Sequence, residues 1–171
     1  MPRFFVLLLL TTAPLLAQTP SPSSHRKTPA ANDKSVDQAE AVQNRARQIL
    51  NTELARKPGT ACDGANLSSA EFGKCLDARA ATTERNYRAF VQALQASLSI
   101  EPADVPVKGL PLPSKNFAAG EAAWRLYVDK TCEALGDTEY GASGVPTDTT
   151  ACQQNLTRQH MRDLGGIFLD R

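Results

Sequence analysis

The side chains with the most distinctive chemistry in this chain are its four cysteines, Cys62, Cys75, Cys132 and Cys152. The intervals between them match neither the short spacing of a zinc half-site nor a Cys-x-x-Cys redox pair. The chain has only two histidines, which leaves little material for a histidine-rich metal site or a His-based catalytic triad. The cysteines therefore favour structural disulfides, provided that the chain reaches an oxidising compartment.

Residues 1–17 have the pattern of a secretory signal peptide. Arg3 supplies positive charge, residues 4–10 form an unbroken apolar run, and Ala17 is a small residue suited to cleavage. This run is far shorter than the roughly 20 residues that a membrane-spanning helix needs. No cysteine lies near the cleavage point to carry a lipid. We therefore expect a periplasmic or secreted protein, with neither a membrane span nor a lipid anchor in the mature chain.

Four cysteines allow three disulfide connectivities, of which we favour Cys62–Cys75 together with Cys132–Cys152. The first bond would tie an incoming loop to the start of the helix that follows it. The second would clamp a glycine-rich loop, residues 137–146, between the last two helices. In the chain-entropy model each bond stabilises the fold by roughly 3 kcal/mol.

The region before the first cysteine divides into two parts. Residues 18–34 are rich in Pro, Ser, Thr, Ala and charge and contain no large apolar residue, which predicts a disordered linker. Ser35 could cap a helix over residues 35–58, where Pro58 and the glycine after it would end it. The apolar stripe of this helix is thin, so we expect it either to pack lightly on the rest or to form a separate extension.

Residues 59–171 predict one cysteine-bearing domain of about three helices. Apolar residues follow helical spacing over about residues 70–98, 114–135 and 147–169. Ser68 or Ser69 could cap the first of these helices together with Glu71, and Gly136 is a natural stop for the second. We find no convincing run of alternating β-branched residues. The predicted fold is all-α, a small disulfide-stabilised helical domain preceded by an additional N-terminal helix.

Two local arrangements are expected on the helix that carries Cys132. Trp124 and Tyr127 are three residues apart, so they should share a helix face and form a core seam around the disulfide. Arg125 and Asp129 are four residues apart and should form an ion pair along the helix. The alternative for these polar and aromatic side chains is a patch that binds a protein partner.

The segment around Trp124 resembles a known family. The order Ala-Trp, then Tyr127, Asp129 and Cys132, is similar to the signature of the LprI-type lysozyme inhibitor domain, a bacterial periplasmic family. The four cysteines occur in the family's order, and Arg158 lies in a segment that resembles its Leu-Thr…Arg region. The resemblance spans about residues 60–170. It marks Trp124, Tyr127, Asp129 and Arg158 as family-motif positions.

The resemblance implies an exported protein that binds and inhibits a lysozyme-type peptidoglycan hydrolase. A competing interpretation is a structural or adaptor protein of the bacterial cell envelope that inhibits nothing. No catalytic motif is recognisable, so we expect neither enzymatic activity nor a cofactor or metal.

Charge indicates where a partner would bind. The formal net charge of the whole chain is +1, which argues against nucleic acid as a partner. Residues 59–171 contain 11 basic and 14 acidic residues, a net charge of −3. The predicted loop and its flanks carry Asp137, Glu139 and Asp148 without any Lys or Arg. These three residues are the candidate contacts for lysozyme or another cationic hydrolase, because opposite charge speeds encounter.

Overall fold

The computed structural model describes residues 31–56, 62, 66–100, 113–138 and 145–170. These segments contain four helices: α1 (Ala31–Ala55), α2 (Ser69–Leu98), α3 (Pro113–Asp137) and α4 (Val145–Phe168). No strand occurs in them, so the predicted all-α fold with an additional N-terminal helix is confirmed. The predicted signal peptide, and the predicted linker as far as residue 30, lie outside the described residues.

The start of α2 follows directly from its sequence. The Ser68 hydroxyl accepts a hydrogen bond from the Glu71 backbone N–H, and the Glu71 carboxylate accepts one from the Ser68 N–H at 2.8 Å. This reciprocal pair satisfies two donors that a helix N-terminus otherwise leaves unpaired. The predicted cap at Ser68 and Glu71 is confirmed.

Two predicted helix boundaries are wrong. The first helix begins at Ala31, so Ser35 lies inside it and is not its N-cap. Ala is the best helix former, and the Asn and Asp that follow it are favourable near a helix N-terminus. α3 continues through Gly136 to Asp137, and Gly136 is buried there. The helix penalty of a single glycine is only about 1 kcal/mol, so α3 can include Gly136 and end one residue later.

All four helices contribute to one apolar core, which lies mainly between α1, α2 and α4. The first helix neither packs lightly nor forms a separate extension, contrary to both expectations, because α1 contacts α2 extensively and α4 as well. α3 packs against α4 and less extensively against α2, and it makes no contact with α1 in the described part of the chain. The core side chains are Ala46, Leu50, Tyr87, Phe90, Ala93, Leu94, Phe117, Met161, Leu164 and Leu169.

Both favoured disulfides are confirmed. Cys62 is bonded to Cys75, with 5.7 Å between the Cα atoms, and Cys132 to Cys152, with 5.6 Å. The first bond holds the chain ahead of α2 against the second turn of that helix. The second joins the last turns of α3 to the start of the third turn of α4, and therefore holds these two helices together near the chain connection between them.

A glycine allows the close approach of α4 to α1. A Cβ atom placed on Gly165 would clash with Cδ2 of Leu50, a side chain that is itself packed in the core. A Cβ atom on the neighbouring Gly166 would meet nothing within 4 Å. The two adjacent glycines therefore have different roles, although both lie in the last turn of the same helix.

This difference predicts opposite outcomes for two alanine substitutions. Gly166→Ala should raise the free energy of unfolding by about 0.5–1 kcal/mol, because alanine loses less backbone entropy in a helix. Gly165→Ala should leave the protein at least about 1 kcal/mol less stable than Gly166→Ala, since Leu50 must move out of its place. Urea denaturation of the two variants and the wild type measures both values. Equal stability gains would contradict the proposed close contact.

Candidate functional site

Arg158, a family-motif position, lies inside the helical bundle and caps α1 from α4. Its side chain is buried, and its guanidinium lies 2.7 Å from Oε1 of Glu53, which is fully buried. It also donates hydrogen bonds to the backbone carbonyls of Glu53, at 2.8 Å, and Arg56, at 2.9 Å. The last carbonyls of a helix have no partner within the helix, so Arg158 satisfies groups that burial would otherwise leave unpaired.

The Glu53 carboxylate is held by a network of further donors. Thr83 Oγ1 donates to Oε1 at 2.8 Å, Asn86 donates to Oε2 at 2.6 Å, and Arg56 Nε lies 3.0 Å from Oε2. Burial by itself would raise the pKa of the Glu53 carboxyl. The hydrogen bonds from Asn86, Thr83 and Arg56 outweigh burial and hold this pKa below its usual value of 4.5. The carboxylate is therefore charged at neutral pH and links α1, α2 and α4.

A second buried carboxylate, Glu121, connects α3 to α2 and α4. It accepts a hydrogen bond from the Tyr87 hydroxyl, and its other oxygen lies 2.9 Å from His160 Nε2. Trp124 stacks on His160, with ring centroids 4.0 Å apart and planes 8° from parallel. Burial, together with the nearby Glu121, raises the pKa of Tyr87 above its ordinary value, so its hydroxyl remains a donor. Trp124 thus covers a polar cluster that holds three helices together.

The prediction that Trp124 and Tyr127 share a helix face in the core is wrong. Trp124 packs inward against His160 and Tyr87, whereas Tyr127 is 57% exposed. Among the described helices, α3 contacts only α2 and α4, so its buried stripe is narrow. Val128 points into the core, and consecutive helix residues point about 100° apart. The side chain of Tyr127, one residue earlier, therefore points away from the core.

The predicted ion pair between Arg125 and Asp129 is also absent. Arg125 instead lies 2.8 Å from Glu84 of α2, and its guanidinium sits 4.7 Å above the centre of the Tyr87 ring. Arg88 lies 2.6 Å from the same Glu84 oxygen. Glu84 on α2 therefore replaces Asp129 as the partner of Arg125. Asp129 instead lines a cleft.

That cleft lies between α2, α3 and α4 and has a volume of about 340 Å3. Trp124 and Val128 contribute apolar wall, while Glu84, Arg125 and Asp129 bring charges to it. Side chains of this kind can hydrogen-bond or pair with polar groups of another molecule. The three helices that line the cleft are the same three that Glu121, Tyr87 and His160 hold together.

An acidic row continues from the cleft along α3. Asp129, Glu133 and Asp137 are four residues apart, which places them along one side of the helix, and all three are exposed. They line a shallow groove whose other wall includes Gln153 of α4. Lys130 lies 2.6 Å from Glu133 and offsets part of the negative charge, in an exposed pair that contributes little to stability.

The three candidate partner-binding residues do not all lie in a loop. Asp137 is the last residue of α3, and Asp148 lies in the first turn of α4, where a carboxylate interacts favourably with the helix dipole. Glu139 lies outside the described residues. The Cys132–Cys152 bond holds the two helix ends that carry Asp137 and Asp148.

Several important residues are missed by the sequence reasoning. The spacing of Glu133 between Asp129 and Asp137 is a signal that could have found it. Nothing local marks Glu53 or Glu121 as buried, because Arg158 and His160 lie 105 and 39 residues away along the chain. Buried carboxylates of this kind become recognisable only when their partners are in place.

Two further observations concern other classes of site. Within the described segments, no group of three or more His, Cys, Asp or Glu side chains is arranged to hold a metal ion. In the same segments, no helix combines the length and apolar character needed to cross a membrane.

Comparison with known protein families shows to which family this chain belongs. The model of the family described as "Lysozyme inhibitor LprI" matches residues 62–164, more than half of the chain. This chain belongs to the LprI family. Searches of curated proteins and of solved structures return no match. The LprI match begins at Cys62, so α1 lies before it, although α1 supplies Glu53, the buried partner of Arg158.

The Glu53–Arg158 pair generates a prediction about stability and pH. Glu53→Gln leaves Arg158 without its buried counter-charge, so the free energy of unfolding at pH 7 should fall by about 3–5 kcal/mol. Because the pKa of Glu53 is lower in the folded state, its stabilising contribution is present above pH 4.5 and is lost as pH falls below that value. The variant should therefore lose part of the wild type's acid sensitivity.

Urea denaturation between pH 3 and pH 7 measures both effects. Glu40→Gln is the matched control, because Glu40 is an exposed carboxylate on the same helix. The control should behave like the wild type at each pH. An unchanged acid sensitivity in Glu53→Gln would contradict the role given to this carboxylate.

Proposed function

We propose that this protein is exported and that it binds and inhibits a lysozyme-type peptidoglycan hydrolase. The observation that carries the proposal is the match of the LprI lysozyme-inhibitor family to residues 62–164. The matched region contains both disulfides and the whole of α3, where the exposed acidic row lies.

Rigidity of the α3–α4 corner supports an inhibitory role. An inhibitor binds more tightly when its contact surface is already ordered, because less conformational entropy is lost on binding. The Cys132–Cys152 bond and the Glu121 cluster restrain α3 on α4 at two separate places. Asp137 and Asp148 are carried by this restrained corner, and Glu139 follows Asp137 in the chain.

The charge of the corner supports a cationic partner. Complementary charges mainly speed association and select against wrong partners. The carboxylates near the corner are exposed or partly exposed, so they are available to a partner. The two buried carboxylates, Glu53 and Glu121, are instead engaged with basic and hydroxyl side chains of the bundle.

A cell-wall lysis assay tests the proposal directly. The protein is purified in oxidised form from the periplasm of an expression host and added to lysozymes of several types acting on bacterial cell walls. We expect the rate of clearing to fall with increasing protein and to reach a plateau for at least one lysozyme type. Reduced and alkylated protein is the control and should inhibit much less, since both disulfides are lost.

Absence of inhibition at a large molar excess over every lysozyme type would contradict the proposal. That result would favour the adaptor interpretation, in which an LprI-family protein of the cell envelope binds partners without blocking a hydrolase.

A further inference from the structure

In the described part of the chain, no other helix covers the outward face of α3. The buried stripe of this helix contacts α2 and α4, and α1 does not reach it in the described part of the chain. On the side away from the core lie Leu126, 62% exposed, and Tyr127, 57% exposed. Ala123, one turn before them, is exposed too.

Leu126 and Tyr127 point about 100° apart on the exposed half of α3, with Ala123 between them, and together they form a candidate contact area. Single exposed apolar residues are ordinary on protein surfaces, whereas clustered ones mark interaction sites. Tyr is also enriched among the residues that dominate binding energy at protein interfaces. Ala123 leaves room beside the two large side chains, so a partner could approach the helix backbone closely.

The acidic row continues along α3 on the side of Leu126. Asp129, Glu133 and Asp137 follow Leu126 by three, seven and eleven positions, which keeps them on adjoining parts of the same face. Lys130 is the basic residue within this stretch, and Glu133 pairs with it. The exposed half of α3 therefore combines two large apolar side chains with a net negative row on the Leu126 side, and apolar contacts next to polar groups are common in protein interfaces.

We propose that this outward face of α3 is the docking surface for a cationic protein. That protein is the hydrolase of the proposed function, on which this inference rests. Leu126 and Tyr127 are the apolar anchors, and the carboxylates of the acidic row guide association. Charge selects this occupant over a second copy of the chain. A symmetric contact between two copies would bring the same carboxylates near one another, which is unfavourable.

The test uses a lysozyme that the wild-type protein inhibits, immobilised for measurement of association and dissociation rates. The charge variant carries Asp129→Asn, Glu133→Gln and Asp137→Asn. Its association rate should fall about tenfold at low salt, and the salt dependence of that rate should flatten. The control variant makes the same change in net charge with Asp37→Asn, Glu40→Gln and Asp163→Asn on α1 and α4, and should stay within about twofold of the wild type.

The apolar anchors are tested by a separate pair of variants. Leu126→Ala with Tyr127→Ala should raise the dissociation rate by about tenfold or more, because the buried centre of an interface dominates its affinity. Val36→Ala on α1, also at an exposed apolar residue, is the matched control and should bind unchanged. Ala123→Arg adds a bulky cation to the same face and should weaken binding strongly. Thermal melting of each variant shows whether the fold is intact.

Three results would overturn the inference. If the wild type inhibits a lysozyme but the charge, anchor and Ala123→Arg variants bind it like the wild type, the docking surface lies elsewhere and the proposed function stands. If the wild type binds no lysozyme at all, the proposed function fails and this inference fails with it. If the wild type is a dimer that the anchor variant converts into a monomer, a second copy occupies the face.

Discussion

The buried contact between Glu53 and Arg158 is the interaction on which the arrangement of the helices depends. A charged group without a partner in the core costs several kcal/mol of stability. The pair therefore requires α1, which carries Glu53, and α4, which carries Arg158, to lie in one fixed arrangement. The Glu53 carboxylate also accepts hydrogen bonds from Thr83 and Asn86 of α2. Three helices are therefore fixed at one point, and the end of α1 is capped at the same time.

The position of α3 depends on a second set of contacts. Glu121 receives hydrogen bonds on both oxygens, Trp124 stacks on His160, and Cys132 is bonded to α4. These contacts hold α3 from one side only. Among the described residues the other side of α3 is open to solvent, and an exposed apolar and acidic face is the direct consequence of this one-sided packing. In an inhibitor, such a face would be both accessible and rigid.

Sequence reasoning succeeds where an interaction is local and fails where a distant residue competes. The Ser68–Glu71 cap and the Cys62–Cys75 bond involve neighbours along the chain, and both are confirmed. The expected pair between Arg125 and Asp129 is also local, but Glu84 of α2 offers a better-placed carboxylate. Gly136 is predicted as a helix stop, yet α3 ends one residue later, at Asp137.

The sequence by itself determined the all-α class, the approximate helices and the family, and it favoured one of three possible disulfide pairings, which the tertiary structure then confirmed. These features depend on periodicity, on capping residues and on the order of four cysteines, all of which can be read along one chain. Only the tertiary structure decided which carboxylates are buried, that Arg158 caps α1, and that Tyr127 faces solvent while Trp124 does not. The physical reason is that burial and charge pairing depend on which groups come together from distant parts of the chain, and helical periodicity specifies only which residues share a face.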